Sequence, residues 1–193
     1  MTNRSAIDLD VEVVDAAALG AAGLEALVDG LLALYADVQE AVAGTDNDPL
    51  WVIGTHPSRA ALKEAAVAGC LLVGRVDDRL AGALIMNGDG APGYEDVPWT
   101  VEAGPDEAVV IHLFAIHPSF RGRGLARPFM AAAAEVARGR GKRVIRLDTL
   151  VANAGAQRTY ERLGFTCLGA HRLAYGPYPN PVEPNFVLYE LAL

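Results

Sequence analysis

Arginine and glycine alternate at Arg121-Gly122-Arg123-Gly124, between an apolar run (residues 108–116) and a stretch of helical periodicity (residues 125–138). Glycine lets a backbone approach a ligand closely, a helix start offers unpaired N–H groups and a positive dipole end, and arginines add charge. Such a turn can hold a phosphate or pyrophosphate; taken alone, it can equally be a Gly-rich turn with solvated arginines. The charge distribution bears on the choice. The 193 residues carry 16 Lys plus Arg and 24 Asp plus Glu, a net charge of −8. Residues 121–146 nevertheless hold Arg121, Arg123, Arg127, Arg138, Arg140, Lys142, Arg143 and Arg146 against one acid, Glu135. A nucleic-acid binder needs clustered cations to neutralise phosphates, so one short cationic island in an acidic chain fits a discrete anion instead. A P-loop is excluded, because no Gly-x-x-x-x-Gly-Lys-Ser/Thr run exists and the only lysines are Lys63 and Lys142. The dinucleotide fingerprint fails as well, since Arg127 stands where its third glycine is needed.

The elements that position this turn follow from periodicity. Val11–Val14 reads as a first strand, and residues 23–43 as a long amphipathic helix ended at Gly44. Ser58 is a plausible N-cap for a second helix over 59–68, and Cys70–Val76 and Leu80–Met86 read as a hairpin joined by Asp77-Asp78. Residues 88–106, rich in Gly, Pro and acids, read as a long insertion or loop. Ala108–Ile116 is an apolar run interrupted only by His112, the pattern of a central buried strand. A helix over 125–138, a strand over 144–150, a helix over 153–163 and strands over 165–170 and 185–191 complete the chain. This alternation implies a right-handed crossover and an α/β or α+β fold with a mixed sheet covered by helices. No linker divides the chain, so one domain over residues 1–193 is expected. With 52% hydrophobic residues the chain can bury a sizeable core without disulfides or metals. Cys70 and Cys167 read as two buried free thiols, too few for a metal site. No run approaches 18 apolar residues and no signal-peptide core is visible, so a cytoplasmic chain with no membrane span is expected.

Arg121-x-x-Gly124-x-Ala126 fits Gln/Arg-x-x-Gly-x-Gly/Ala, the acetyl-CoA pyrophosphate loop of the GNAT superfamily of N-acetyltransferases, which this sequence resembles. A second motif supports the likeness. The family continues with Asn-x-x-Ala-x-x-x-Tyr-x-x-x-Gly-Phe, and here the run is Asn153-Ala-Gly-Ala156-Gln-Arg-Thr-Tyr160-Glu-Arg-Leu-Gly164-Phe165. The resemblance is firm over residues 108–170 and looser elsewhere. It implies an acyl-CoA N-acyltransferase fold with a mixed, mostly antiparallel central sheet flanked by helices. It further implies that Arg121, Gly122, Arg123, Gly124, Leu125 and Ala126 bind the CoA pyrophosphate, largely through backbone N–H groups. The pantetheine arm is then expected along Phe114, Ala115 and Ile116, with Asn153 reaching its amide and the Tyr160 phenol protonating the departing thiolate. Acetyl-CoA is thus the expected acyl donor, with no metal.

The acceptor, a primary amine of a small molecule or peptide, must lose a proton before it attacks the thioester. His112, His117, Glu107 and Asp148 are the candidate bases. His112 stands out, because a polar side chain within an apolar strand costs free energy unless it is hydrogen-bonded. It is expected to be either the base or a satisfied core histidine, whereas His117, beside Pro118, is more plausibly positional. By resemblance the acceptor pocket comes from residues 44–57, with Asp46, Asp48, Trp51 and His56, and from 172–185, with Tyr175, Tyr178 and Glu183. The other readings are a non-catalytic acyl-CoA sensor on the same fold and a phosphate-binding regulator. A homodimer is left open; neither nucleic acid nor a membrane is an expected partner.

Overall fold

Seven strands and four helices make up the computed structural model, which describes residues 8–104, 106–174 and 184–193. In chain order they are β1 (Asp10–Val13), α1 (Ala16–Val42), α2 (Arg59–Val67), β2 (Leu71–Val76), β3 (Arg79–Asn87), β4 (Ala108–Ile116), α3 (Ala126–Gly139), β5 (Val144–Leu150), α4 (Ala154–Leu163), β6 (Thr166–His171) and β7 (Phe186–Ala192). The strand order is β1-β2-β3-β4-β5-β7-β6. The β4–β5 pair is parallel, while β1–β2, β2–β3, β5–β7 and β6–β7 are antiparallel. This is the mixed sheet with helices that the periodicity implies, and the mostly antiparallel one that the family resemblance implies.

The chain forms two compact units. One contains residues up to Ala41, Val52–Ile85 and Leu113–Ala133; the other contains Val42–Trp51, Met86–His112 and Ala134–Leu193. In the first, α1 turns Val28, Leu31, Leu34, Tyr35 and Val38 inward. Its opposite face carries Glu25 and Asp29, which pair with Arg59 and Lys63. The helix begins seven residues earlier than residue 23, the start that the periodicity suggests, because Ala16–Leu19 form a turn ahead of a break at Gly20 (φ 65°, ψ 177°). Ser58 caps α2 as expected, accepting from the Ala61 N–H at 3.1 Å. Asp77 and Asp78 both take left-handed φ (48° and 61°), the backbone a two-residue hairpin requires. In the second unit, Leu147, Leu188 and Tyr189 are fully buried.

Two expectations need correction, on the cysteines and on β4, and α1 adds a feature that the apolar runs do not reveal. Cys70 is half-buried and Cys167 exposed, although both thiols are free. Cys167 lies on β6, the strand at the edge of the sheet, none of whose residues is fully buried. By length and composition α1 is apolar enough to cross a membrane, with a mean hydropathy of 1.6 over 18 residues. Its acids are few enough that the average stays high even though no uninterrupted apolar run exists. Finally, β4 is not one continuous buried strand: Leu113 sits at φ 56°, and residues 112–114 are only half-buried.

In the first unit, β3 and β4 approach so closely that Gly82 has no room for a side chain. A Cβ there would stand 2.7 Å from the Ala115 carbonyl oxygen and 2.8 Å from Ile116 Cδ1. Gly82→Ala is therefore expected to destabilise the fold by about 1–3 kcal/mol, as overpacking against backbone typically does. Scanning calorimetry measures this directly, and an unchanged Tm would show that β4 yields at Ala115.

Candidate functional site

The glycine-arginine turn lies in the first unit and leads into α3. Gly122 (φ 70°) and Gly124 (φ 81°) both need the left-handed backbone that glycine tolerates, and a Cβ at either would meet no protein atom within 4 Å. Leu125 is buried with Val76, Ala81 and Phe120 and anchors the turn from below. Among the described residues, the backbone N–H groups of Gly122, Arg123, Gly124, Leu125 and Ala126 have no hydrogen-bond partner. Five consecutive donors at a helix N-terminus, flanked by exposed arginines, can bind a polyanion. Arg79 and Arg123 lie 5.2 Å and 5.7 Å from the Phe120 ring centroid.

The cationic island of the sequence does not act as one patch. Arg121, Arg123 and Arg127 belong to the turn and the first helical turn. Arg138 pairs with Glu135 at 2.6 Å, Arg143 with Glu107 at 3.4 Å, and Lys142 donates to the Asp106 carbonyl at 2.8 Å. Arg146 lies 4.2 Å from the Trp99 ring centroid.

Upstream of the turn, Leu113 interrupts β4, and its carbonyl accepts from the buried Tyr35 hydroxyl at 2.9 Å. Beyond it come Phe114, whose ring lies 5.6 Å from that of Phe129, the buried Ala115, and Ile116. His117 ends this stretch. Its Nε2 lies 3.0 Å from Asp37 Oδ2, and its Nδ1 accepts from the Ser119 N–H at 3.1 Å.

The second unit supplies the other candidates. Asn153 is buried and caps α4, its Oδ1 accepting from the Ala156 N–H at 3.0 Å. Its carbonyl oxygen is thus spent on the helix and only its amide NH₂ remains to donate. The Tyr160 ring is buried against Phe165 and Tyr189, with centroids 5.8 Å and 5.6 Å away. Its hydroxyl makes no hydrogen bond among the described residues. Burial, and then the charge of Asp148, push the phenol well above its ordinary value, so it stays protonated and able to donate.

His112 is half-buried, with Nε2 3.0 Å from Asn87 Oδ1. Desolvation lowers its proton affinity, while the charge of Asp148 and the backbone and charge of Asp89 oppose the shift. Asp148 is also half-buried, and one of its oxygens accepts from the Tyr94 hydroxyl at 2.6 Å. It stands one residue past the last parallel pair, Ile111 with Leu147. Glu107 accepts from the Gly104 N–H and faces Arg143, which hold its carboxyl below the usual range and make it a weak base.

On the acceptor side, Asp46 is committed to α4: it pairs with Arg158 at 2.7 Å, and its carbonyl accepts from the Gly155 N–H at 2.8 Å. Asp48 accepts from the Gly44 and Leu50 N–H groups at 2.7 Å and 2.8 Å. Trp51 is half-buried, and His56 forms an isolated antiparallel bridge with Val52. Tyr175, Tyr178 and Glu183 lie outside the described residues. Sequence reasoning passed over Tyr94 and Trp99, whose only signal is that two aromatic residues stand in a Gly-, Pro- and acid-rich segment.

The chain is similar to known acetyltransferases. The model of the acetyltransferase (GNAT) family matches residues 34–165. An uncharacterized N-acetyltransferase of Methanocaldococcus jannaschii is 39% identical over 70 residues, covering 36% of this chain and 31% of that protein. N-alpha-acetyltransferase 30 of Schizosaccharomyces pombe is 32% identical over 114 residues, 58% of this chain and 67% of that one. The chain thus spans between 31% and 67% of the length of the curated relatives it matches. Among solved structures, a GNAT-family acetyltransferase of Streptococcus agalactiae superposes with TM-score 0.65 at 19% identity, over 96% of this chain and 95% of that one. The yncA protein of Salmonella typhimurium, solved with its cofactor acetyl-CoA, does so with TM-score 0.61 at 18% identity, over 96% and 94%. At these identities the structural likeness shows the fold.

The burial of His112 has a measurable consequence. Its folded-state proton affinity lies below the ordinary value of 6.5, so below that pH the unfolded chain takes up a proton that the folded chain resists. Its contribution to stability is whole above about pH 6.5 and declines as the pH falls toward the folded value. The Tm of the wild type is expected to drop more steeply between pH 7 and 5 than that of His112→Gln. Parallel pH–Tm curves for the two proteins would contradict this.

Proposed function

The chain belongs to the GNAT acetyltransferase family, and from that premise we propose that it transfers the acetyl group of acetyl-CoA to a primary amine of a small molecule or peptide, by direct attack on the thioester. The observation that carries this reading is the row of five backbone N–H groups within Arg121-x-x-Gly124-x-Ala126, at the start of α3, that have no hydrogen-bond partner among the described residues. That donor set suits a pyrophosphate, and the left-handed glycines leave the approach to it free of side chains. Gly122, Arg123, Gly124, Leu125 and Ala126 would hold the pyrophosphate, with Arg121 adding charge. Phe114, Ala115 and Ile116 would line the pantetheine arm, and the Asn153 side-chain NH₂ would donate to its amide. Acetyl-CoA is the only cofactor this reading requires, and it calls for no metal.

The chemistry divides between two residues. His112, kept neutral by burial, would take the proton from the acceptor ammonium, directly or through water. A proton taken up there is met by the backbone of Asp89 and the charge of Asp148. The amine nitrogen then bonds to the acetyl carbon as the carbon–sulfur bond breaks. A β4 backbone N–H would polarise the carbonyl, and the Tyr160 hydroxyl would give its proton to the leaving sulfur. The high proton affinity of Tyr160 supports this role, because the acid form persists at neutral pH. This reading takes residues 1–193 as one N-acetyltransferase domain working in the cytoplasm.

Thiol release from acetyl-CoA across an amine panel that includes peptide N-termini tests the reaction. Binding of acetyl-CoA without release on any amine would favour the acyl-CoA sensor. Gly124→Val is expected to abolish CoA binding in calorimetry while the protein stays folded, since a β-branched side chain would enter the pyrophosphate approach. Unchanged CoA affinity would remove the loop from the site. Tyr160→Phe keeps the ring packing, so Tm and CoA affinity should hold while kcat falls roughly 10²-fold, as for a positioned general acid. Full turnover in that variant would assign the proton to another donor.

A further inference from the structure

Carboxylates outnumber cations in this chain, 24 to 16, and Arg59, Lys63, Arg75, Arg138, Arg143 and Arg158 each pair with one. Arg79, Arg121 and Arg123 do not. Among the described residues, their guanidinium groups make no ion pair and no hydrogen bond. Arg121 and Arg123 belong to the turn before α3, but Arg79 comes from elsewhere in the chain. It is the exposed first residue of β3, directly after the Asp77-Asp78 turn, and among the described residues it pairs with neither aspartate. The His117 N–H donates to the Ala81 carbonyl at 2.9 Å, so the start of β3 runs beside the end of β4 and reaches the same region as the turn. Phe120 is buried there with Val76, Ala81 and Leu125. Its ring receives both arginines, with Arg79 Cζ 5.2 Å and Arg123 Cζ 5.7 Å from the centroid.

We infer that Arg79 is a specificity residue for the acyl donor: with Arg123 it forms a guanidinium pair, seated on the Phe120 ring, that binds the 3′-phosphate of CoA. The inference rests on the reading of the turn as the pyrophosphate site of acetyl-CoA and goes beyond it by assigning the remaining phosphate of that molecule. The row of backbone N–H groups is spent on the pyrophosphate. The 3′-phosphate is a monoester, which carries a charge of about −1.5 to −2 near pH 7 on three terminal oxygens. Two guanidinium forks match that charge and that geometry. Two cations on one ring repel each other, and the attraction of the ring for each offsets this only in part. A dianion between them replaces the repulsion with two attractions. The buried ring also holds both side chains near their bound positions, which lowers the entropy lost on binding.

Calorimetry with CoA and with 3′-dephospho-CoA, on the wild type and on Arg79→Gln, forms a cycle that isolates the contact. The wild type is expected to bind CoA about tenfold or more tightly than 3′-dephospho-CoA, as for a charge-assisted hydrogen-bonded pair. Arg79→Gln should raise the Kd for CoA about tenfold and the Kd for 3′-dephospho-CoA less than about twofold. Arg79→Lys keeps the charge but loses the fork, so its Kd for CoA should fall between those of the other two proteins. Because Arg79 is exposed, the Tm of both variants should stay within a few degrees of wild type. Equal losses for the two ligands in Arg79→Gln, or no loss for either, would overturn the inference while leaving the acetyl-CoA reading intact. So would a wild type that binds both ligands equally well. A wild type that binds neither would overturn both.

Discussion

A leucine held in the left-handed region inside a strand, with its carbonyl bonded to a buried tyrosine hydroxyl, stands where the parallel pairing of β4 and β5 has ended. Leu113 at φ 56° costs on the order of 1–2 kcal/mol for a residue with a Cβ, and the Tyr35 hydroxyl on its carbonyl helps to hold it there. Before it, Ala108–Ile111 pair in parallel with Val144–Leu147; beyond that point β5 keeps only its antiparallel partner β7. His112 and Asp148 are the first residues past the parallel ladder on their two strands. Beyond the break, β4 continues through Ala115, packed so tightly on β3 that Gly82 cannot carry a side chain, into the turn that starts α3. A regular strand would have run its ladder through this region and left fewer polar groups for chemistry.

Electrostatics follow from burial more than from net charge. Tyr160 is kept in its acid form and His112 in its neutral form by the same cause, loss of water, and the Asp148 charge acts on both. Glu107 and His117, equally eligible by residue type, are tied to Arg143 and Gly104 and to Asp37 and Ser119. The cationic island behaves similarly: Arg138, Lys142, Arg143 and Arg146 are engaged by carboxylates, carbonyls and an indole ring, so the island is not one patch of charge.

The segment between β3 and β4 shows how a stretch of weak local preference becomes ordered. Its glycines, prolines and acids favour no helix or strand, and its order comes from two aromatic side chains and from a glutamate on β7 that accepts its backbone N–H groups. None of these partners is a sequence neighbour, with the exception of Tyr94 and Trp99 themselves, so local pattern could register the segment only as a loop.

Sequence alone determined what depends on local chemistry. Ser58 caps its helix, Asp77-Asp78 closes its hairpin, β5 spans 144–150 as read, and two spaced motifs point to the family, because capping, turn angles and a ligand-binding loop are set by neighbouring residues. Tertiary structure alone decided the rest. An apolar run shows that 108–116 is a strand but not that Leu113 breaks it, since the hydroxyl holding that break comes from Tyr35, 78 residues away. Two cysteines in apolar surroundings look buried, but Cys167 falls on β6, an edge strand without a fully buried residue. Asp148 is a candidate base by residue type alone, and that its carboxylate accepts from the Tyr94 hydroxyl, 54 residues earlier, is a tertiary fact. Residue type states what a side chain can do; burial and long-range partners decide which of several identical side chains does it.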